Sequence, residues 1–196
     1  MLLRRRSVIA TAAGLAFSVS RGNSAVAQGT PDDLPDAAEV INQIMPTTAP
    51  EMNFTTPGGK KLSLKSYAGH GLVVNLWATW CGPCIAEIPS FAVIAPELAR
   101  SKILVLPISI DLNGAAAVQP FYARSGITTL PVLLDPQGDL LGALNTTGIP
   151  ATIIINAAGQ LVAQLNGAAN WNTPGTIAAL KLLAGAAKPA GGVQPV

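Results

Sequence analysis

The run Leu72-Val73-Val74-Asn75-Leu76-Trp77-Ala78, followed at once by Thr79-Trp80-Cys81-Gly82-Pro83-Cys84, constrains this chain more than any other stretch. A nearly continuous apolar run reads as a strand buried on both faces, and such strands belong to sheets covered by helices. From Cys84 the period changes: Ile85, Ile88, Phe91, Ala92, Ala95 and Leu98 fall on one helical face. Pro83 suits a first helical turn, where its missing N–H costs nothing. Two cysteines therefore sit where a buried strand hands over to a helix. Unpaired helix N–H groups and the helix dipole favour negative charge there, on the first cysteine over the second.

The remaining pattern extends this into an α/β domain, a mixed sheet with helices on its faces. Residues 51–64 read as a hairpin turning at Pro57-Gly58-Gly59, and residues 103–110 as a second buried strand. A helix is expected over 114–125, an extended piece at 131–134, and a hairpin from 151–155 to 160–165. A last helix over 173–184 starts with Thr173 as N-cap and Pro174 at its first position. Residues 36–45 read as one short helix, with Val40, Ile41 and Ile44 on one face, inside a linker spanning 28–49. Residues 186–196, rich in Ala, Gly and Pro, read as a disordered tail.

The N-terminus reads as an export signal over residues 1–27. Residues 1–6 are basic, residues 7–20 are moderately apolar, and Ala25-Val26-Ala27 is a cleavage site before Gln28. Fourteen residues are too few for a spanning helix, which needs roughly 20. Arg5-Arg6-Ser7-Val8-Ile9 favours the twin-arginine route over general secretion, although the usual Phe-Leu pair is missing. The expected location is the periplasm, with no membrane span after cleavage. Without the signal, eight basic residues face ten acidic ones, a balance of −2 with His neutral. That leaves no footprint for nucleic acid or an anionic membrane.

The chain has only two cysteines, with two residues between them. Bridged, they would close too small a loop to stabilise the fold much, so the pair is kept for reactivity or for metal. Closed zinc sites need four ligands, and the single histidine, His70, lies in a loop. Two thiolates suit Cu(I) better, with His70 as the only histidine available for a third position, so copper delivery stays open. In disulfide exchange the thiolate is the nucleophile and must be exposed. Cys81 fits that role, with Cys84 one turn further in to resolve the mixed disulfide. Gly82 lets a partner chain approach closely. No metal or cofactor is expected beyond the Cys81–Cys84 pair itself.

Trp77-Ala78-Thr79-Trp80-Cys81-Gly82-Pro83-Cys84 resembles the active-site signature of thioredoxin-like proteins. With Val74, Asn75, Glu87 and Pro89 it resembles, more narrowly, the TlpA/ResA-like family of exported disulfide reductases. The resemblance covers about residues 50–185. It implies a thioredoxin-like fold with an added N-terminal β-hairpin and an insertion before the second half. It also implies a cis-proline facing the disulfide at Ile149-Pro150, where the backbone of Ile149 would pair with an extended substrate segment. By itself this dipeptide reads as an ordinary trans-proline before a strand.

One departure matters. Thioredoxins proper carry a buried Asp where Asn75 stands, and Asn cannot titrate. Glu87, three residues after Cys84, is where the TlpA/ResA-like pattern carries an acid. It is the candidate proton acceptor, against a solvent-facing helix glutamate. Trp80 is read as a platform for the partner beside Gly82 and Pro83, Trp77 as core, Trp171 and His70 as structural, and Asp111 as a cap rather than a catalytic acid.

The resemblance implies a reductase of CxxC disulfides in exported proteins, such as apocytochrome c or copper-site assembly factors of cytochrome oxidase, re-reduced by a membrane electron donor. Gly82-Pro83 resembles the dipeptide of reducing thioredoxins, yet one side chain can move such a couple, so a general oxidant is the alternative within the class. A thiol peroxidase of the peroxiredoxin type would want Thr where Ala78 stands.

Overall fold

The computed structural model describes residues 30–146 and 148–185. The expected export signal and C-terminal tail lie outside these residues. Strands run over Asn42–Thr48 (β1), Asn53–Thr55 (β2), Lys61–Ser63 (β3), Gly71–Trp77 (β4), Ile103–Ser109 (β5), Leu133–Leu134 (β6), Ala151–Ile155 (β7) and Gln160–Asn166 (β8). Helices run over Ala37–Val40 (α1), Gly82–Arg100 (α2), Ala115–Arg124 (α3), Asp139–Ala143 (α4) and Pro174–Ala184 (α5).

Every residue of β4 is buried, because it lies inside one sheet of order β1-β8-β7-β4-β5-β6-β2-β3. It pairs parallel with β5 and antiparallel with β7. Alternation along β4 then sorts the core into two layers. Leu72, Val74 and Leu76 join Met52, Phe54, Ile108, Leu140 and Ile153 on one face. Val73 and Trp77 join Ile88, Phe91, Val118 and Trp171 on the other. Asn75 shares the second face by the same alternation. This is a thioredoxin-like fold: a mixed sheet with helices on both sides.

Residues 36–45 do not form one helix. Asp36 accepts from the Ala38 N–H and α1 stops after a single turn. The chain then becomes β1, paired with β8 from Asn42↔Gln164 to Thr48↔Gln160. The outer edge of β8 offers unpaired backbone groups, which a short helix ahead of Pro46 cannot outcompete. Pro46 donates no hydrogen bond and falls where the register shifts, between Gln43 and Thr47. The stretch read as a linker over 28–49 therefore contributes an edge strand, and the sheet begins before residue 50. At the opposite edge β2 and β3 pair antiparallel.

Close packing brings the ends of the chain's core elements together. A Cβ at Gly71 would lie 2.1 Å from the carbonyl oxygen of Ala184, so only glycine lets β4 begin beneath the last turn of α5. Thr173 caps α5 by accepting from the Thr176 N–H. Among the described residues, no helix is long and apolar enough to cross a membrane.

Candidate active site

Cys81 and Cys84 are joined as a disulfide at the N-terminus of α2. Cys81 is the N-cap residue, and the Cys84 N–H points at its Sγ at 3.3 Å. Cys84 is wholly buried, whereas Cys81 keeps 7% of its surface exposed. This asymmetry follows from local sequence: the cap residue stands at the rim, and the residue three further on turns beneath the helix. Gly82 and Pro83 are exposed, and a Cβ at Gly82 would meet nothing within 4 Å.

The Ile149–Pro150 bond is cis. Ile149 carries its carbonyl oxygen 3.8 Å from Cys81 Sγ, with Pro150 buried behind it. Trp80 stands beside the disulfide with 66% of its surface exposed, while Trp77 is core, packed on Phe121 and Tyr122. Trp80, Gly82, Pro83 and Ile149 thus surround Cys81.

Asp111 is not a helix cap, since Gly114 holds that position for α3. Its carboxylate accepts from the Thr79 N–H at 2.9 Å, the Thr79 hydroxyl at 2.7 Å and the Ser109 hydroxyl at 2.8 Å. Asp111 therefore ties the loop before Cys81 to the end of β5.

Glu87 is not a solvent-facing glutamate. It has no exposed surface, and it sits one turn past Cys84 on the same side of α2. Its Oε1 accepts from Asn75 Nδ2 at 2.8 Å. Its Oε2 accepts from the Ala169 N–H and from Trp171 Nε1, both at 3.1 Å. Burial pushes the carboxyl up to about 7, against the lowering pull of those donors. Trp171, read from sequence as structural, thus bonds the buried Glu87 carboxyl one turn past Cys84. No sequence signal marks it, because 84 residues separate it from Glu87.

His70 lies just before the start of β4 and Cys81 beyond its end. The seven-residue strand puts roughly 20 Å between them, so His70 cannot complete a copper site with the cysteines. Among the described residues, no three His, Cys, Asp or Glu side chains cluster to hold a metal.

The AhpC/TSA family model matches residues 45–164. The thiol-disulfide oxidoreductase ResA from Bacillus thuringiensis subsp. konkukian is 27% identical over 119 residues, 61% of this chain and 68% of that one. ResA from Geobacillus kaustophilus is 30% identical over 115 residues, 59% and 65% of the two chains. Among solved structures, a thiol:disulfide interchange protein of the thioredoxin family from Chlorobium tepidum superposes with a TM-score of 0.59 at 28% identity, covering 74% of this chain and all of that one. The pneumococcal exposed lipoprotein thioredoxin from Streptococcus pneumoniae gives a TM-score of 0.57 at 28% identity, covering 68% and 99%. The chain belongs to the AhpC/TSA family, and with this fold and this cysteine pair it is a thiol:disulfide oxidoreductase.

Proposed function

We propose that this protein is a periplasmic reductase of disulfides in exported proteins, with apocytochrome c and copper-site assembly factors of cytochrome oxidase as the substrate class. The observation that carries the reading is the asymmetric disulfide. Cys81 stands at the rim with a helix N–H aimed at its sulfur, and Cys84 lies buried behind it. In the reduced protein that N–H would stabilise a Cys81 thiolate.

The thiolate attacks one sulfur of the substrate disulfide, forming a mixed disulfide and releasing the other sulfur as a thiolate that takes up a proton. Glu87 accepts the proton of Cys84, and the Cys84 thiolate attacks Cys81 Sγ. The Cys81–Cys84 disulfide forms, and the second substrate thiol leaves with a proton. Two electrons pass to the substrate, and a membrane electron donor returns them. Trp80, Gly82 and Pro83 present an open face to the substrate, and the Ile149 carbonyl beside Cys81 can accept from its backbone. No resident metal or cofactor is part of this reading.

Gly82-Pro83 between the cysteines supports the reducing direction over general oxidation. The basic and then apolar N-terminus, and the likeness to an exposed lipoprotein thioredoxin, support the location. A peroxiredoxin-type peroxidase would need a hydroxyl where Ala78 is buried.

The test is the reduction potential of the Cys81–Cys84 pair, with trapping alongside. The potential is expected towards the thioredoxin value of about −270 mV, and one above about −150 mV would overturn the reductase reading. Cys84→Ser should hold substrates as mixed disulfides, and Cys81→Ser should hold none.

A further inference from the structure

The two oxygens of Glu87 are not equivalent. Oε2 faces two donors that cannot turn away. One is the Ala169 backbone N–H. The other is the indole Nε1–H of Trp171, whose ring stacks on Phe91 at 4.7 Å and whose backbone N–H ties the residue to α2 again by donating to Ser90 Oγ at 3.2 Å. A carboxyl proton on Oε2 would point at fixed N–H groups, so the proton belongs on Oε1.

There it meets Asn75, whose Nδ2 donates to Glu87 Oε1 at 2.8 Å and to Thr152 Oγ1 at 2.9 Å. Register makes this possible, since Asn75 and Thr152 face each other across the β4–β7 pair. The Asn75 Oδ1 is buried with no partner. A side-chain amide carries donors on one arm and acceptors on the other, in nearly the same shape. After a half-turn, Oδ1 would take the place of Nδ2, at the same separations from the same two oxygens. Protonated Glu87 Oε1 then donates to it, and the Thr152 hydroxyl, which can donate or accept, donates to it too. Both arrangements make two hydrogen bonds without moving a backbone atom.

We propose that Asn75 is a positioning residue that serves Glu87 in both protonation states by reversing its amide, with Trp171 and the Ala169 N–H fixing Oε1 as the oxygen that carries the proton. The inference rests on the reading of Glu87 as proton acceptor for Cys84. In that step the S–H bond of Cys84 breaks, its electron pair stays on sulfur, and the proton ends on Glu87 Oε1. The result is a thiolate and a neutral carboxyl. An acid at position 75 would put a second negative charge against Glu87. The neutral amide avoids this and stays bonded throughout.

Among the described residues, the elements packed on Glu87 bring no competing charge to it. On α2 the neighbour is Cys84, which has no proton to lose while it is joined to Cys81. β4 and β7 supply the neutral Asn75 and Thr152, and the 169–171 segment supplies N–H groups. Asp36, beyond Asn170, spends its carboxylate on the Ala38 N–H and the Thr176 hydroxyl.

The test is side-chain NMR of the oxidised full chain, labelled with 15N and 13C, from about pH 3 to about pH 9, a window bracketing ordinary and raised carboxyl titrations. The two Asn75 amide N–H signals are expected to move with the same midpoint as the Glu87 carboxyl carbon. In Glu87→Gln they should hold their low-pH positions throughout, because the introduced amide donates toward residue 75 as the protonated carboxyl does. Asn75 signals that stay flat while Glu87 titrates would overturn the reversal and leave the proton-acceptor reading standing. Asn75 signals that titrate, with a Glu87→Gln pH profile of disulfide reduction identical to the parent's, would overturn the acceptor reading and leave the reversal as a property of the core.

Discussion

Asn75 Nδ2 lies 2.8 Å from Glu87 Oε1, and neither side chain has any exposed surface. A buried carboxyl held by neutral donors alone is poorly placed to carry charge, which is why burial raises it from 4.5 to about 7. The sign of the linked effect on stability follows. Between those two pH values the folded protein holds a proton that the unfolded chain has lost, so stability falls as pH rises through the window and levels off above it. At about 1.4 kcal/mol per pH unit, the loss sums to about 3 kcal/mol. Glu87→Gln has no such titration. Urea unfolding of the oxidised protein should show the variant gaining on the parent by about 3 kcal/mol between pH 4.5 and pH 7. A gap independent of pH would show that folding does not raise the titration of Glu87.

Trp171→Phe keeps an aromatic ring against Phe91 and removes one of the two donors to Glu87 Oε2. The charged carboxyl loses more from this than the neutral one, so Glu87 should titrate at higher pH than in the parent. The pH profile of disulfide reduction should move up with it. Stability should drop by about 1–3 kcal/mol, the usual cost of an unmet buried hydrogen bond. Trp171→Leu should cost more stability through lost packing, so the phenylalanine variant isolates the effect on titration.

Asp111→Ala would strand the Thr79 N–H and leave the hydroxyls of Thr79 and Ser109 without their acceptor. The expected loss is about 1–3 kcal/mol. The loop carrying Trp80 into Cys81 would also loosen, so substrate reduction should slow even at temperatures where the variant is fully folded. Asp111→Asn retains one acceptor and should fall between variant and parent in both assays.

Gly71→Ala probes the fold without touching the cysteines. Its Cβ would collide with the backbone of Ala184, which cannot swing aside as a side chain could. The end of α5 must shift, at a cost of at least about 1–3 kcal/mol. The thermal midpoint should fall, while the reduction potential of the folded variant stays at the parent value.

Much of the site was legible in the chain because its key parts are neighbours in sequence. An apolar strand, a two-residue spacing between cysteines and a proline at the first helical turn lie within 14 residues, Gly71–Cys84, and their order alone places Cys81 at the rim and Cys84 beneath it. Helical spacing then puts Glu87 below Cys84. The misreadings have a different origin. Residues 42–48 became a strand because an open edge of β8 was there to receive them. Asp111 found Thr79, 32 residues away, because β4 and β5 end side by side.

The sequence by itself determined the reactive pair, the strand and helix that carry it, and the absence of a titrating group at Asn75, since local spacing and side-chain chemistry set these. Tertiary structure alone decided what surrounds Glu87. Ala169 and Trp171 reach it from more than 80 residues away. Thr152 faces Asn75 only because β7 pairs with β4 in one register. A periodic pattern says which face a residue shares, but sheet order and register say whom it meets there. The protonation of a buried acid depends on that meeting.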